Sequence, residues 1–465
     1  MATKRDQLHA HQFLAQRAVS ALVTRETDPE QPPFRRPLGA AFGGVALAAV
    51  VLVGFGVWGL LSPGGNRAWA GGERVIIEKE TGTRYVYLDG RLHPVANYSS
   101  ALLALNRHAE TQTVSRDSLA GVPRGPRIGI PGAPDALPGP DMVLGGGWTL
   151  CSEPTATPTG DTVQRTALLV GQEAAGGAPL GRDALVVEVQ GSGERHLVHE
   201  GYRHRIADPA TVGLALGAAT VVRVAPAVVD VLPAGEPIAP IPVPKAGTAS
   251  TAVPGHALKI GQLVVGGDRH YLVEATRLRP ISALQYDIQR AYQPTAAAYD
   301  GEQPVAIPLE LIALADAEVA AEPPAADADP PATRPTLAAP PRPTPATCLT
   351  FTPSAAMPQV TLDPPLPPAD PMTITPGRTV AGLPLADRLV VPPGSIAVVE
   401  AMPSPTAPAG TLTVVTDLGM AYPLADRAVL EILGYAATPP IRLPTPLVAR
   451  VPQGPALSHP AAMGR

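Results

Sequence analysis

The chain has 465 residues, 58 of them Pro, only 4% aromatic residues, and a formal net charge of −5. That length admits more than one domain, but Pro removes a backbone donor and breaks helix interiors, which excludes a single large helical core. Near-balanced charge excludes a nucleic-acid or anionic-surface binder driven by charge alone.

Residues 1–37 read as a cytoplasmic amphipathic tail. At 100° per residue, Leu8, Leu14, Ala15, Ala18, Val19 and Leu22 share one side of a helix, and Lys4, Arg5, Gln12 and Arg17 lie mostly elsewhere. Asp28-Pro29 and Pro32-Pro33 end it. Such a helix docks on a partner or lies on a bilayer; the alternative is a solvated tail.

Residues 38–61 carry no charge. At 1.5 Å per residue the segment reaches about 36 Å, against about 30 Å of hydrocarbon, so it reads as a transmembrane helix with Trp58 near one interface. A signal peptide, with "AWA" at 68–70 for cleavage, and a buried core helix are the competing readings. Arg35 and Arg36 abut the N-terminal side, whereas Arg67, Arg74 and Lys79 lie beyond the other end. The positive-inside bias then puts the N-terminus in the cytoplasm and the remainder outside the inner membrane.

Beyond the segment, one small pattern recurs. "HPVAN", "HRIAD", "RPISA" and "YPLAD" align on Pro94, Arg205, Pro280 and Pro423. Alternating stretches precede them at 84–93, 195–204 and 269–279; central Gly90 and Gly201 mark the first two as β-hairpins. Asn97, Asp208 and Asp426 then stand where helix N-caps belong, Pro209 takes a first helical position, and Asn106, Gly217 and Gly434 close the helices. A Pro-x-Gly turn follows 29 (94→123), 28 (205→233) and 29 (423→452) residues after the anchor; the third anchor reaches Pro308 at 28, without the Gly.

Each repeat is thus roughly 55 residues: hairpin, capped helix, short second helix or turn, and last strand, too little to bury much surface alone. Anchor spacings of 111, 75 and 143 exclude a regular solenoid. "WTLC", "TALLVG", "DALVVEV", "CLTF", "QVTL", "SIAVVEA" and "TLTVVTD" read as strands of a central β domain. The expected fold is therefore α+β: a transmembrane helix, then an elongated extracytoplasmic region of four small repeats around that domain. The expected divisions are repeat 1 at 73–130, the central domain at 131–190 and 330–417, repeat 2 at 191–242, repeat 3 at 255–320 and repeat 4 at 418–458. Residues 322–347, Pro/Ala-rich and aperiodic, are expected to be an extended disordered loop.

Cys151 and Cys348 both follow the apolar segment. An even count there suits an oxidising compartment and one disulfide; two unpaired buried thiols are the alternative.

The search for catalytic chemistry finds little. Only Lys4, Lys79, Lys245 and Lys259 exist, none in a Walker A context, so a phosphate-cradling loop is absent and no enzyme activity is expected. "HLVHEGYRH" offers His196, His199, Glu200 and His204, but "HEGYRH" is one residue too long for the zinc helix motif. A cross-strand metal pair of His196 and His204 stays open beside a plain polar surface. "GSG" at 191–193 lacks a nucleophile elbow's flanks. No cofactor is expected.

Taken in order, "HQFLAQRAVSALVTRE", "FRRPLGAAFGGVALAAVVL", "YLDGRLHPVANYSSALLAL", "VPRGPRIGIPGAPDAL" and "GGGWTLC" resemble the EccB family of type VII (ESX) secretion systems, across essentially the whole chain. The resemblance implies a cytoplasmic N-terminus, one spanning helix, and four repeats similar in fold to a phage-lysin subunit. It also implies a disulfide between Cys151 and Cys348. It further implies a hexameric core with EccC, EccD and EccE, and contact with the mycosin protease outside. Some descriptions of the family name an ATPase, for which this chain offers no residues. The expected function is a structural anchor of the secretion complex. A membrane protein whose repeats hold peptidoglycan is the runner-up, and an ATPase with an unrecognised site is third.

Overall fold

Two helices come first: α1 (Lys4–Val23) and α2 (Arg35–Leu61). The computed structural model describes residues 3–23, 25, 35–61 and 67–465. The helix-breaking Asp28, Pro29, Pro32 and Pro33 lie outside the described residues, as do the side chains of Arg35, Arg36 and Trp58. Among the described residues α2 is the one helix long and apolar enough to cross a membrane. Its Gly39–Val57 stretch has a mean hydropathy of 2.3, and none of it is buried against the rest of the chain.

The first small sheet holds β1 (Val75–Glu78), β2 (Arg84–Leu88) and β3 (Arg91–Pro94), then helix α3 (Tyr98–Leu105) and β4 (Thr111–Val114). The chain next lays down β5 (Trp148–Ala156), β6 (Thr162–Leu169) and β7 (Ala178–Pro179). The second small sheet has β8 (Leu185–Val189), β9 (Arg195–His199), β10 (Tyr202–Arg205), α4 (Pro209–Leu216), β11 (Val221–Val224) and the short α5 (Pro226–Val231). After a ribbon of β12 (Ala249–Ser250) and β13 (Leu258–Lys259) comes the third: β14 (Leu263–Gly266), β15 (Arg269–Val273), β16 (Leu278–Ile281), α6 (Ala283–Ala291), α7 (Gln293–Ala296), β17 (Ile307–Pro308) and α8 (Leu311–Ala315). Then follow β18 (Thr347–Phe351), β19 (Gln359–Leu362) and β20 (Arg388–Val390). The fourth small sheet has β21 (Ile396–Met402), β22 (Thr411–Thr416), β23 (Ala421–Pro423), α9 (Arg427–Leu433), β24 (Ile441–Pro444), α10 (Thr445–Val448) and a terminal α11 (His459–Ala462).

These four sheets share one order: β3-β2-β1-β4, β10-β9-β8-β11, β16-β15-β14-β17 and β23-β22-β21-β24. The first three strands form an antiparallel meander. The fourth returns through the helix to pair parallel with the first, as a parallel pairing requires a crossover. Two meanders turn on Asp89-Gly90 and Glu200-Gly201, all four residues at positive φ, the geometry a two-residue hairpin needs.

A six-stranded sheet, β20-β6-β5-β18-β19-β7, takes strands from 148–179 and from 347–390. Three expected members belong elsewhere. "DALVVEV" supplies β8 of the second small sheet, and "SIAVVEA" and "TLTVVTD" supply β21 and β22 of the fourth. The cause is two-sided burial, which gives a strand a continuous apolar run instead of alternation. Val187 and Val399 face the core shared with the six-stranded sheet, whereas Val186 and Val398 face the helices.

Two further expectations fail. Pro308 lies on β17, and the third sheet's counterpart of the Pro-x-Gly segment is Glu318–Ala320, where Val319 bridges Leu278. Residues 322–347 follow a defined course: Glu236 N–H donates to the Ala328 carbonyl (2.8 Å), Leu284 N–H to that of Ala332 (3.0 Å), and Arg334 Nε to that of Leu216 (3.0 Å). Pro limits the entropy that such a segment loses on ordering, and its unpaired carbonyls accept from neighbours.

Candidate interaction surface

Each small sheet is closed by the same local chemistry. Asn97 Oδ1 accepts from Ser100 N–H (2.9 Å), Asp208 Oδ1 from Thr211 N–H (3.1 Å) and Asp426 Oδ1 from Val429 N–H (3.2 Å). The bonds from Thr211 hold the Asp208 carboxyl below the usual range. Ser282 does the same for α6, accepting from Gln285 N–H (3.1 Å). It stands two residues after Pro280 instead of three, so a fixed spacing misses it.

Pro94, Arg205 and Pro423 end edge strands, and Pro280 is the last residue but one of edge strand β16; a Pro there loses no ladder bond. Pro94, Arg205 and Pro423 offer their carbonyls outward to Ile128, Ile238 and Leu457 N–H at 2.9, 2.9 and 2.8 Å. The Pro-x-Gly segments thereby run beside β3, β10 and β23. Their glycines lie under aromatic rings. A Cβ on Gly125 would come within 2.2 Å of the His93 ring, one on Gly235 within 2.4 Å of His204, and one on Gly454 within 2.4 Å of Tyr422. His93 and His204 then donate from Nδ1 to the Pro126 and Glu236 carbonyls (3.1 and 2.9 Å). The signal was present in sequence, since the ring precedes the anchor in the first, second and fourth sheets. In the third sheet Arg279 takes its place and Ala320 replaces the Gly.

His196 and His204 do not converge. His196 pairs with Arg205 and Leu197 with His204, so the two imidazoles lie on opposite faces of the hairpin. Burial pushes both below the ordinary imidazole value. Among the described residues no three His, Cys, Asp or Glu side chains group as metal ligands.

The sheets pair in a nested way. The first and fourth share one core through α3 and α9. Tyr435 Oη donates to the Pro138 carbonyl (2.8 Å), His459 Nδ1 to that of Leu103 (2.7 Å), and Gly129 N–H to that of Ala462 (2.9 Å). The second and third pair through α4 and α6, with Leu284 and Ile288 in the core of the second. Buried Gln289 accepts from Ile241 N–H (2.7 Å) and donates to its carbonyl (3.1 Å).

The six-stranded sheet joins these pairs. Cys151 and Cys348 are cross-strand partners on β5 and β18 and form a disulfide, both fully buried. Arg388 grips Glu153 with two bonds (2.8 and 3.0 Å). Outside these cores, apolar side chains remain exposed on α1 (Leu8, Phe13, Leu14, Leu22), along α2, and at Met372, Ile374, Val380 and Leu383.

Among the described residues, a single apolar helix with no cover from its own chain, followed by a disulfide-bonded β-rich region, fits a single-span membrane protein. Residues 1–465 match the family described as type VII secretion system ESX-1, transport TM domain B, and the chain belongs to this EccB family. It is 26% identical over 500 residues to the protein named ESX-2 secretion system ATPase EccB2 of Mycobacterium tuberculosis, covering 99% of this chain and 94% of that one. To the protein named ESX-5 secretion system ATPase EccB5 of Mycobacterium marinum it is 31% identical over 276 residues, 56% of this chain and 52% of that one. A chain in the structure of an intact ESX-5 inner membrane complex shares the fold with a TM-score of 0.61 at 24% identity, covering 100% of this chain and 95% of that one. A chain in the structure of an EccB3 dimer from the ESX-3 core complex aligns at a TM-score of 0.60 and 26% identity, covering 84% and 99%.

Proposed function

We propose that this protein is a structural, non-catalytic component of a type VII secretion membrane complex. α2 spans the inner membrane once, α1 lies on the cytoplasmic side, and residues 67–465 stand outside as a scaffold. The four sheets of equal order are read as four copies of one unit, similar in fold to a phage-lysin subunit and splayed as an elongated body. EccC, EccD, EccE and further copies of the chain, six in the full assembly, are the partners on the membrane side, with the mycosin protease outside. The observation that carries the reading is the family match over the whole chain. The non-enzymatic part rests on the residues: no Lys of the chain lies in a Walker A loop, and ATP is not supplied outside the membrane.

Purification of the tagged chain from its host membranes tests the scaffold role. Recovery with the other core components, and loss of their assembly on deletion, is expected; an intact complex without the chain would refute it. Reporter fusions at the two termini test the orientation, and a C-terminus active only in the cytoplasm would reverse it. Steady ATP turnover by the purified chain would restore the enzyme reading.

A further inference from the structure

Where β6, α5 and the segment after α10 meet, the surface opens into a groove of about 570 Å³. Arg450 forms part of its wall with a side chain only 8% exposed. Its Nη2 donates to Asp230 Oδ2 (2.7 Å) and its Nη1 to the Pro384 carbonyl (3.3 Å), but its Nε meets no acceptor. A buried guanidinium N–H without a partner costs free energy, so Arg450 is incompletely satisfied in the wall it forms.

Two more arginines line the same groove. Arg165 is half exposed and donates to Asp387 Oδ1 (2.9 Å). Arg378, on an exposed loop, spends Nη1 on the Gly382 carbonyl (3.0 Å) and keeps the rest of its fork. Each carboxylate in the groove already holds an arginine. Asp387 also takes the Thr166 N–H and hydroxyl (both 2.8 Å), and Asp230 takes Arg450. Three arginines against two engaged aspartates leave a surplus of one positive charge and of planar N–H donors, the geometry that recognises oxyanions.

We propose that this groove is an oxyanion-binding site, taking a phosphate or carboxylate group at the junction of the six-stranded, second and fourth sheets. The site stands independently of the secretion role. A bound anion would tie the Arg378 loop to β6 and to Arg450.

Calorimetric titration of the full chain in detergent micelles tests it, at constant ionic strength. The probes are inorganic phosphate and tetra-alanine with a free or an amidated C-terminus. Binding of phosphate alone identifies a phosphate ligand, and binding of the free acid but not the amide identifies a carboxylate; either supports the site. Arg378→Gln and Arg165→Gln, both at exposed positions, should each weaken binding tenfold or more. Arg442→Gln, an arginine of β24 outside the groove, should leave it unchanged. Failure of both probes to bind, equal binding by wild type and both groove variants, or an equal loss in Arg442→Gln would overturn the proposal.

Discussion

One amide, that of Asn97, closes two open ends: it caps α3 through Oδ1, and its Nδ2 donates to the Ile130 carbonyl (2.8 Å). Asp426 makes the cap alone. Asp426→Ala should therefore cost about 1 kcal/mol, and Asn97→Ala more, read from denaturant midpoints at constant slope. Equal losses would show that the Ile130 bond contributes nothing. The aromatic-on-glycine contact makes a second residue-scale prediction. Gly454→Ala has to displace the Tyr422 ring, so it should destabilise more than Gly145→Ala, which has open space around it and, like Gly454, no positive φ. The histidines set a pH dependence. Unfolded imidazoles titrate near 6.5, and burial lowers His196 and His204 in the fold. The unfolded chain thus binds more protons just below that pH, so the stability that neutral burial contributes is present above about 6.5 and lost as pH falls through the lowered values. Thermal midpoints should drop on acidification below 6.5, and His196→Gln should flatten the slope; an unaltered slope would remove His196 as a cause.

Strands, caps and turns were legible where each carries its own mark. Gly90 and Gly201 announce hairpins because glycine takes the positive φ that a two-residue turn demands without strain. Asp208-Pro209 announces a helix because an acceptor and a missing donor both suit its first turn. The opening strand of each sheet carries no such mark. β8 and β21 are apolar runs flanked by ordinary turns, and which sheet receives them depends on partners far along the chain. The ordered course of 322–347 is hidden from the sequence for the same reason: composition shows that it cannot make a core, not that a neighbouring core will hold it. With Ala328, Ala332 and Arg334 tied to other elements, limited proteolysis should spare the stretch around 328–334 while the second and third sheets stay folded. Rapid cleavage there at full native signal would contradict the packing.

Across the molecule, pairing is nested: first with fourth, second with third, and the six-stranded sheet between. The Cys151–Cys348 disulfide ties its two contributions across 197 positions. Chain entropy puts the effect of such a cross-link on the order of 5 kcal/mol, less any strain. Both sulfurs are buried, so reductant should act slowly on the native protein. A Cys151→Ser/Cys348→Ser double variant should then unfold at clearly lower denaturant, and a midpoint like that of wild type would rule the staple out as a determinant of stability. The membrane segment, the caps, the anchors and the family were written in sequence, because each depends on residues within a turn or two of one another or on an uninterrupted apolar length. The membership of β8, β21 and β22, the place of Val319 and the three-arginine groove were decided only by tertiary structure, because they depend on which distant surfaces bury each other, and local periodicity does not encode that choice.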